Sequence, residues 1–471
     1  MPLAPGYRIL KETREVKFVS GATPQVQFTG RYTFENSGTT DLEFIDVSFP
    51  DEKAYGRKNV RVEMDGQPVK LASLPEDYQS SAPNTFRLPF DQVWKRGESH
   101  EFFVAYTFSS PEDSGERITI GEDNFHLGSR GWSPLPQPPK HFLSPYPNRP
   151  ARTSYTVRVP SDFLVLADGK PYGRKRSGAE AEFSFELRTG DLTPFIVAGR
   201  YVASASEAKA KTAMFWTRQP LKEDPQGAIE RTTSAWNVLE RDFGPLDKNI
   251  HAPHIVESTE LREHVSGEPG PSAAAFPGGA IVNSQLLSLG LSSDRFLEPV
   301  THALAHSWFG NQVFFSRYSA LGLGEGLPEY ATLVVDESQK GEVGRQHRIL
   351  EYLREYDDAR KGGAEESPLG VTTLSDAPEQ RRIALAKAAL FFAALEDTCG
   401  EGPMRDGLKR MVKLLRGQEV TYGTLRSALE QSSGKNLADP FRVWLNEKGI
   451  PAGFRSRYQG EANAGPRTSS P

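Results

Sequence analysis

A change of hydrophobic period near residue 205 limits the possible folds more than any other feature of the chain. Before it, apolar residues alternate with polar ones: Val26, Phe28, Tyr32, Phe34; then Phe102, Val104, Tyr106, Phe108; then Tyr155, Val157, Val159; then Phe183, Phe185, Leu187; and the stretch from Phe195 to Val202. A period of two, broken by Asn36-Ser37-Gly38, Asp65-Gly66 and Asp168-Gly169, marks antiparallel strands. Many short strands of this kind predict a sandwich or saddle-like β domain. The proline-rich stretch from Trp132 to Pro150 predicts an extended surface loop. After residue 205 the period lengthens toward 3.6. Helices are predicted over Gly227 to Phe243, ended by Gly244-Pro245, and over Asp294 to Phe309, capped by Ser292 or Ser293. Others are predicted over Gly326 to Ser338, Gly344 to Tyr356, Gln380 to Thr398, Pro403 to Leu415, Tyr422 to Gln431 and Pro440 to Lys448. The expectation is an α+β chain. A β domain spans 1–205, a mostly helical domain 206–455, and a Gly-, Pro- and Ser-rich disordered tail 456–471.

Charge and cysteine content narrow the function. The 56 Lys and Arg against 61 Asp and Glu leave a net charge of −5, which argues against a nucleic-acid or anionic-membrane binder. The longest apolar run, Ala388 to Leu395 with its flanks, is too short to span a bilayer. With Cys399 alone, neither an intrachain disulfide nor a Cys-rich metal site can form. The first residues have no apolar signal core, so the chain as written is expected in the cytoplasm. A trimmed secreted or periplasmic form would read the same. Oligomeric state is not legible.

The segment Val300-Thr-His-Ala-Leu-Ala-His-Ser-Trp-Phe-Gly-Asn311 carries the chemistry. His302 and His306 stand four apart on a predicted helix, which puts both imidazoles on one face, one turn apart. Glu325 follows at the start of the next predicted helix. Two histidines and a carboxylate make a His₂Glu set that leaves one coordination position open, as catalytic zinc sites do. A histidine pair alone is weak evidence, since such pairs more often serve packing than ligation. The carboxylate at this distance is what raises the pair to a candidate Zn²⁺ site.

These residues resemble the membrane alanyl aminopeptidase family of zinc gluzincins. HALAHSWFGN, His302 to Asn311, is similar to that family's HE-x-x-H-x-WFGN run. Gly324-Glu325-Gly326-Leu327-Pro328-Glu329-Tyr330 resembles its NEG-x-x-x-Y segment. Asp242-Phe243-Gly244-Pro245 with His254-Ile255-Val256-Glu257 resembles the entry to its catalytic domain. Pro194 to Tyr201 is similar to the end of its first domain. The resemblance implies a β saddle followed by a thermolysin-like domain. It also implies zinc on His302, His306 and Glu325, and peptides or proteins as substrates. Glu329, one turn after Glu325, could accept a hydrogen bond from a ligand imidazole. A solvated helix charge is the equal alternative.

Three parts of the family's pattern are missing. The HE-x-x-H glutamate, which relays a proton from water to the leaving amine, falls on Ala303. Losing a general base costs about 10² to 10⁴ in rate. The Y-x-KG tyrosine, which stabilises the oxyanion, falls on Leu385 when Lys387 is matched to the lysine. Losing one such donor costs about 10² to 10³. Tyr352, Tyr356 or Tyr422 could substitute. The G-x-MEN glutamate, which holds the substrate amine, has no counterpart in Pro277 to Asn283, though Glu257, Glu260 or Glu268 could reach in. The expectation is therefore a metallopeptidase-like protein with its triad kept and hydrolysis weak or lost. The alternatives are a non-catalytic peptide- or partner-binding module, or a structural domain that binds no metal.

Other signals are weaker. Gly322-Leu-Gly-Glu-Gly326 is glycine-rich but follows no strand, so it is no dinucleotide loop. Ser432 to Lys435 lacks the upstream glycine of a phosphate loop, and there is no G-x-S-x-G elbow. Cys399 reads as a packing residue. Trp308 and Phe309 read as core behind the metal helix. His126, His141, His251, His254, His264 and His347 have no metal-ligand spacing.

Overall fold

The computed structural model describes residues 6–49, 56–73, 85–109, 118–128, 132–137, 153–167, 170–187, 195–204, 212–246, 253–258, 272–315, 319–363, 365–373 and 376–461. In the N-terminal part, alternation becomes register. Tyr7–Val19 and Gln25–Asn36 pair antiparallel, with Phe28 opposite Val16 and Phe34 opposite Ile9, so their apolar side chains share one face. Ser99–Ser109 extends the sheet with Phe108 opposite Val26. Thr153–Pro160 joins the other side parallel to Tyr7–Val19, a parallel pair in an otherwise antiparallel eight-stranded sheet. Two four-stranded sheets complete this half. Phe28, Phe34, Phe102, Phe125 and Trp132 fill its core. Each buried aromatic removes enough apolar surface from water to stabilise by about 2–3 kcal/mol.

The turn at Asp65-Gly66 forms as expected, both residues at positive φ (49° and 78°), the conformation a two-residue hairpin needs. At Asn36 the side chain accepts from Gly38 N at 3.0 Å. Asp168-Gly169 lies outside the described residues. The proline-rich stretch is not loop throughout. Leu135–Gln137 pairs with Leu42–Ser48 at a sheet edge, where Pro136 is tolerated because an edge strand can spare one N–H. Residues 138–150 lie outside the described residues.

The helical half contains a five-stranded sheet that the sequence did not announce. Its order is Val202–Ser204, Met214–Thr217, His254–Ser258, Gly279–Asn283 and Ala273–Phe276. The middle three strands run parallel, and Ala273–Phe276 is an antiparallel edge. The strands are short, and inner ones such as Gly279–Asn283 are buried on both faces, so no long alternation betrays them. Phe215, Ile255 and Ala280 point to the helices. Trp216, Val256 and Ile281 point the other way and pack with Phe195 and Val197. Phe195 meets Phe276 at 4.8 Å between ring centroids, which joins the two halves through an apolar seam.

The helices used below are α1 (Gln226–Phe243), α2 (Asp294–Ala305), α3 (Gly326–Lys361), α4 (Pro378–Cys399), α5 (Glu401–Leu414), α6 (Tyr422–Ser433), α7 (Ala438–Asn446) and α8 (Ala452–Glu461). Ser293 caps α2 by accepting from Phe296 N at 3.2 Å. α3 is two arms. Gly341, at φ 68° and ψ −163°, breaks it, as the two separate helices expected there require. Contacts from Arg348 to Asp336 (2.8 Å) and from Tyr352 to Glu329 (2.7 Å) show the arms folded back antiparallel. Residues 456–461 do not belong to a disordered tail. They continue α8, which is held because Phe454 packs edge-on against Trp444 and Arg345 donates to Tyr458 Oη at 2.7 Å. Residues 462–471 lie outside the described residues.

Candidate metal centre

Two local devices bring the candidate ligands together. The first is the end of α2. The helix stops at Ala305, short of the expected Phe309, and His306 closes it. Beyond it Gly310 takes φ 128°, a value that favours glycine. Asn311 Nδ2 donates to His306 O at 2.9 Å. Trp308 and Phe309 turn into the core, where Trp308 Nε1 donates to Gly244 O at 2.8 Å. Ser307 Oγ accepts from Gly278 N at 3.0 Å, tying this corner to the hairpin of the edge strand.

The second device is a π-helical segment, Ala320–Glu325, that leads into α3. Such wide turns re-aim side chains and are frequent at functional sites. The glycines here answer to space. A Cβ on Gly322 would lie 1.9 Å from Tyr422 Oη, and one on Gly326 would lie 2.7 Å from Ala388 Cβ of α4. The Gly-rich run is therefore a packing requirement that sets Glu325 at the end of the turn.

The three candidate donors converge. His302 Nε2 and His306 Nε2 are 3.2 Å apart. Glu325 Oε2 is 3.2 Å from the first and 3.4 Å from the second. A tetrahedral Zn²⁺ with bonds of about 2.0–2.1 Å needs donor separations of about 3.3–3.4 Å, so the three distances match the edges of one face. The tautomer of His306 follows from its outer partner. His306 Nδ1 lies 2.9 Å from Phe309 O, a carbonyl that can only accept, so Nδ1 carries the proton. His302 Nδ1 lies 3.0 Å from Glu329 Oε1, an ion-pair contact without the alignment of a hydrogen bond. His306 Nε2 is thus left as its metal-facing nitrogen, and His302 turns its Nε2 to the same point. The donor set fits zinc, with His302, His306 and Glu325 as the group that could hold an ion.

Without an ion the same groups hold one another. Burial would lower the His302 pKa, but the Glu329 and Glu325 carboxylates outweigh it and lift it to about 10. Burial opposes ionisation of both carboxylates, yet Glu325 is held low by His306 and His302, and Glu329 by His302 and Tyr352.

The positions that break the pattern are equally defined. Ala303 is 1% exposed, within the helical core. Leu385 is half-buried on α4 against the same core. Lys387 is buried and donates to Glu366 Oε1 at 2.9 Å and to Glu447 O at 2.6 Å. Tyr352 gives its hydroxyl to Glu329, and Tyr356 gives its own to Glu366 at 2.6 Å. Tyr422 has its hydroxyl buried against Gly322 with no hydrogen-bond partner among the described residues. The hairpin strands 273–276 and 279–283 carry no carboxylate. Glu257 accepts from Arg218 N at 2.8 Å and Ser284 Oγ at 2.9 Å. Glu260 and Glu268 lie outside the described residues, as do His141, His251 and His264. The Phe309 carbonyl and Tyr352 are the site groups that sequence reasoning did not assign to the metal. Nothing in one sequence links Tyr352 to Glu329, because their contact depends on the turn at Gly341.

A β-rich half, a helical half with a parallel-centred sheet, and a His₂Glu donor set on α2 and the entry to α3 define a two-domain, zinc-metallopeptidase-like fold. Residues 282–444 match the model of the Peptidase family M1 domain. It is 25% identical over 279 residues to Aminopeptidase 2, mitochondrial, of Saccharomyces cerevisiae, which covers 55% of this chain and 27% of that protein. The chain thus spans about a quarter of the length of that relative. The M1 zinc metallopeptidase from Deinococcus radiodurans shares the fold with a TM-score of 0.68 at 18% identity, covering 95% of both chains. A glutamate-to-alanine mutant of it, bound to a Tyr-Ser-Ala substrate, gives 0.66 at 18% identity, over 96% of this chain and 97% of that one. Among the described residues no helix is long and apolar enough to cross a membrane.

Proposed function

We propose that this chain binds zinc through His302, His306 and Glu325 and holds peptides at that site as an M1-type protein, with peptide hydrolysis weak or lost. The observation that carries the reading is the convergence of three donor atoms within 3.2–3.4 Å while Ala303 stands where the family's proton relay would be. Zinc held there supplies Lewis acidity toward water and a substrate carbonyl. This chain's own residues would set the ligands of such an ion: Phe309 O holds the His306 ring by a hydrogen bond, and Glu329 stands 3.0 Å from His302 Nδ1 as an ion-pair partner. Ala303 cannot take the proton from water, because its methyl group has none to give or take. Leu385 offers no donor to a developing oxyanion, and the hairpin 273–283 offers no charge to a substrate amine. Three such gaps fit a redirected site better than a single lost residue. The Deinococcus radiodurans mutant bound to a peptide substrate supports retention of peptide binding in this fold after a glutamate-to-alanine change. The division into a saddle domain to 205 and a peptidase-like domain from 206 belongs to the same reading.

Elemental analysis and titration test it. One zinc per chain is expected, lost on His302→Ala, together with peptide binding and little or no release of amino acids. Near-zero zinc in protein purified without chelator would end the reading. Fast turnover of aminoacyl substrates would show instead that another group serves as base.

A further inference from the structure

The second arm of α3, 342–361, contributes nothing to the donor set, yet it reaches the site. Tyr352, 4% exposed, donates from Oη to Glu329 Oε2 at 2.7 Å, with the Glu329 carbonyl 3.1 Å away. The other oxygen of that carboxylate, Oε1, lies 3.0 Å from His302 Nδ1. His302 Nε2 is one of the three converging donors. A carboxylate has two oxygens, and here each is engaged by a different side chain, which leaves Glu329 little freedom to turn. Tyr352 is itself set by its arm. Arg348, one turn earlier, bonds Asp336 of the first arm at 2.8 Å and Glu351 at 3.1 Å, and its guanidinium lies 6.0 Å from the Tyr352 ring.

We propose that Tyr352 is a positioning residue for the metal, acting through Glu329 to hold the carboxylate charge against the ring of His302. The inference rests on the reading that the triad binds zinc, and goes beyond it. It assigns Tyr352 to the metal centre rather than to the oxyanion, since its one proton is already committed to Glu329. Groups of this kind hold a ligand ring in the orientation that the ion requires and raise its basicity, so their loss weakens the ion's binding without removing a donor. The chain Tyr352–Glu329–His302 spans both arms of the helical hairpin, so the fold-back at Gly341 becomes part of the metal site.

The test is zinc affinity, read by competition with a chromophoric chelator. Wild type, Tyr352→Phe, Glu329→Ala and the double variant are compared, with the melting temperature of each metal-free protein alongside. Glu329→Ala is expected to bind zinc about 10- to 100-fold more weakly. Tyr352→Phe keeps the ring and its packing and is expected to lose about 3- to 10-fold, the worth of one hydrogen bond. The double variant should bind no more weakly than Glu329→Ala alone, because Tyr352 then has nothing to act through. A purely structural tyrosine would instead lower the metal-free melting temperature and add its loss to that of Glu329→Ala. Wild-type affinity in Tyr352→Phe, or additive losses in the double variant, would overturn the inference while leaving the triad as a zinc site. A wild-type chain that takes up no zinc would remove the parent reading, and this one with it.

Discussion

At position 303 a single methyl group follows His302 on α2, 1% exposed and packed into the helical core. Restoring a carboxylate there, Ala303→Glu, is expected to raise hydrolysis of aminoacyl substrates, up to about 10²- to 10⁴-fold, the range of a positioned base. The assay is run with a melting curve, since the new side chain enters a packed position. No gain in a folded, zinc-loaded variant would place the deficit at Leu385 and the missing amine anchor. The histidine beside it gives a pH signature. Its pKa is raised from 6.5 to about 10, so its contacts with Glu329 and Glu325 stabilise the metal-free protein in full below about 6.5. That contribution is lost as pH rises toward 10. The two carboxylates are depressed, so theirs is present above about 4.5 and lost as pH falls through their lowered values. Metal-free melting temperatures should therefore decline from pH 6.5 to 10. Zinc affinity should climb over the same window, because the ion and a proton compete for His302 Nε2. A flat affinity across that window would contradict the ion-pair assignment.

Elements explain what single residues leave open. The run Gly322-Leu-Gly-Glu-Gly326 stood out in the sequence with no reason attached. In the fold it is the π-helical turn, and its glycines let Tyr422 and α4 approach. Tyr422 Oη is buried there without a partner among the described residues, so Tyr422→Phe is expected to be neutral or stabilising by up to about 1 kcal/mol in a denaturant titration. A clear loss of stability would mean that the hydroxyl has a partner. Lys387 shows the opposite case. Its place in α4 suggested kinship with a catalytic motif, and the structure gives it a buried ion pair with Glu366, 1% and 3% exposed. Lys387→Met removes the nearest cation from that carboxylate, which keeps Tyr356 Oη and Gly449 N as donors, and should cost up to about 3–5 kcal/mol. Burial alone would raise the Glu366 pKa, but Tyr356 and Lys387 hold it below its usual value. The pair's contribution is thus present above about pH 4.5 and fades below it. The existence of α1 to α7 was legible, because each carries enough of the 3.6 period to stand out. Helix ends were not: α2 stops at Ala305 because of Gly310 and Asn311, and α8 forms because of its tertiary partners Trp444 and Arg345.

At the scale of the whole chain, the two textures became two packed halves joined by Phe195, Val197, Trp216, Val256 and Ile281. The alternation before residue 205 gave away the sheets, since one buried face demands it. The five-stranded sheet of the second half stayed hidden, because strands such as Gly279–Asn283 are buried on both sides and read as plain apolar runs. The convergence of His302, His306 and Glu325 was legible because a metal site needs a fixed spacing, and the contact of Tyr352 with Glu329 was not, because it depends on a fold-back. Metal should be felt by the whole molecule. Zinc at 100 times its dissociation constant is expected to stabilise the folded chain by about 2.7 kcal/mol, seen as a rise in melting temperature that chelator reverses. His302→Ala should show no such rise.

The helical hairpin 326–361 has one more consequence, and it concerns time. Tyr352 and Glu329 are only 23 residues apart, and the link between their helices turns at Gly341. Closing so short a loop costs little chain entropy, and contacts this near in sequence form early. The brace behind the first histidine can therefore assemble as an autonomous scaffold soon after its residues are synthesised. The distant strand pairings of the first half, such as Glu12 with Thr153, must wait for a far longer search.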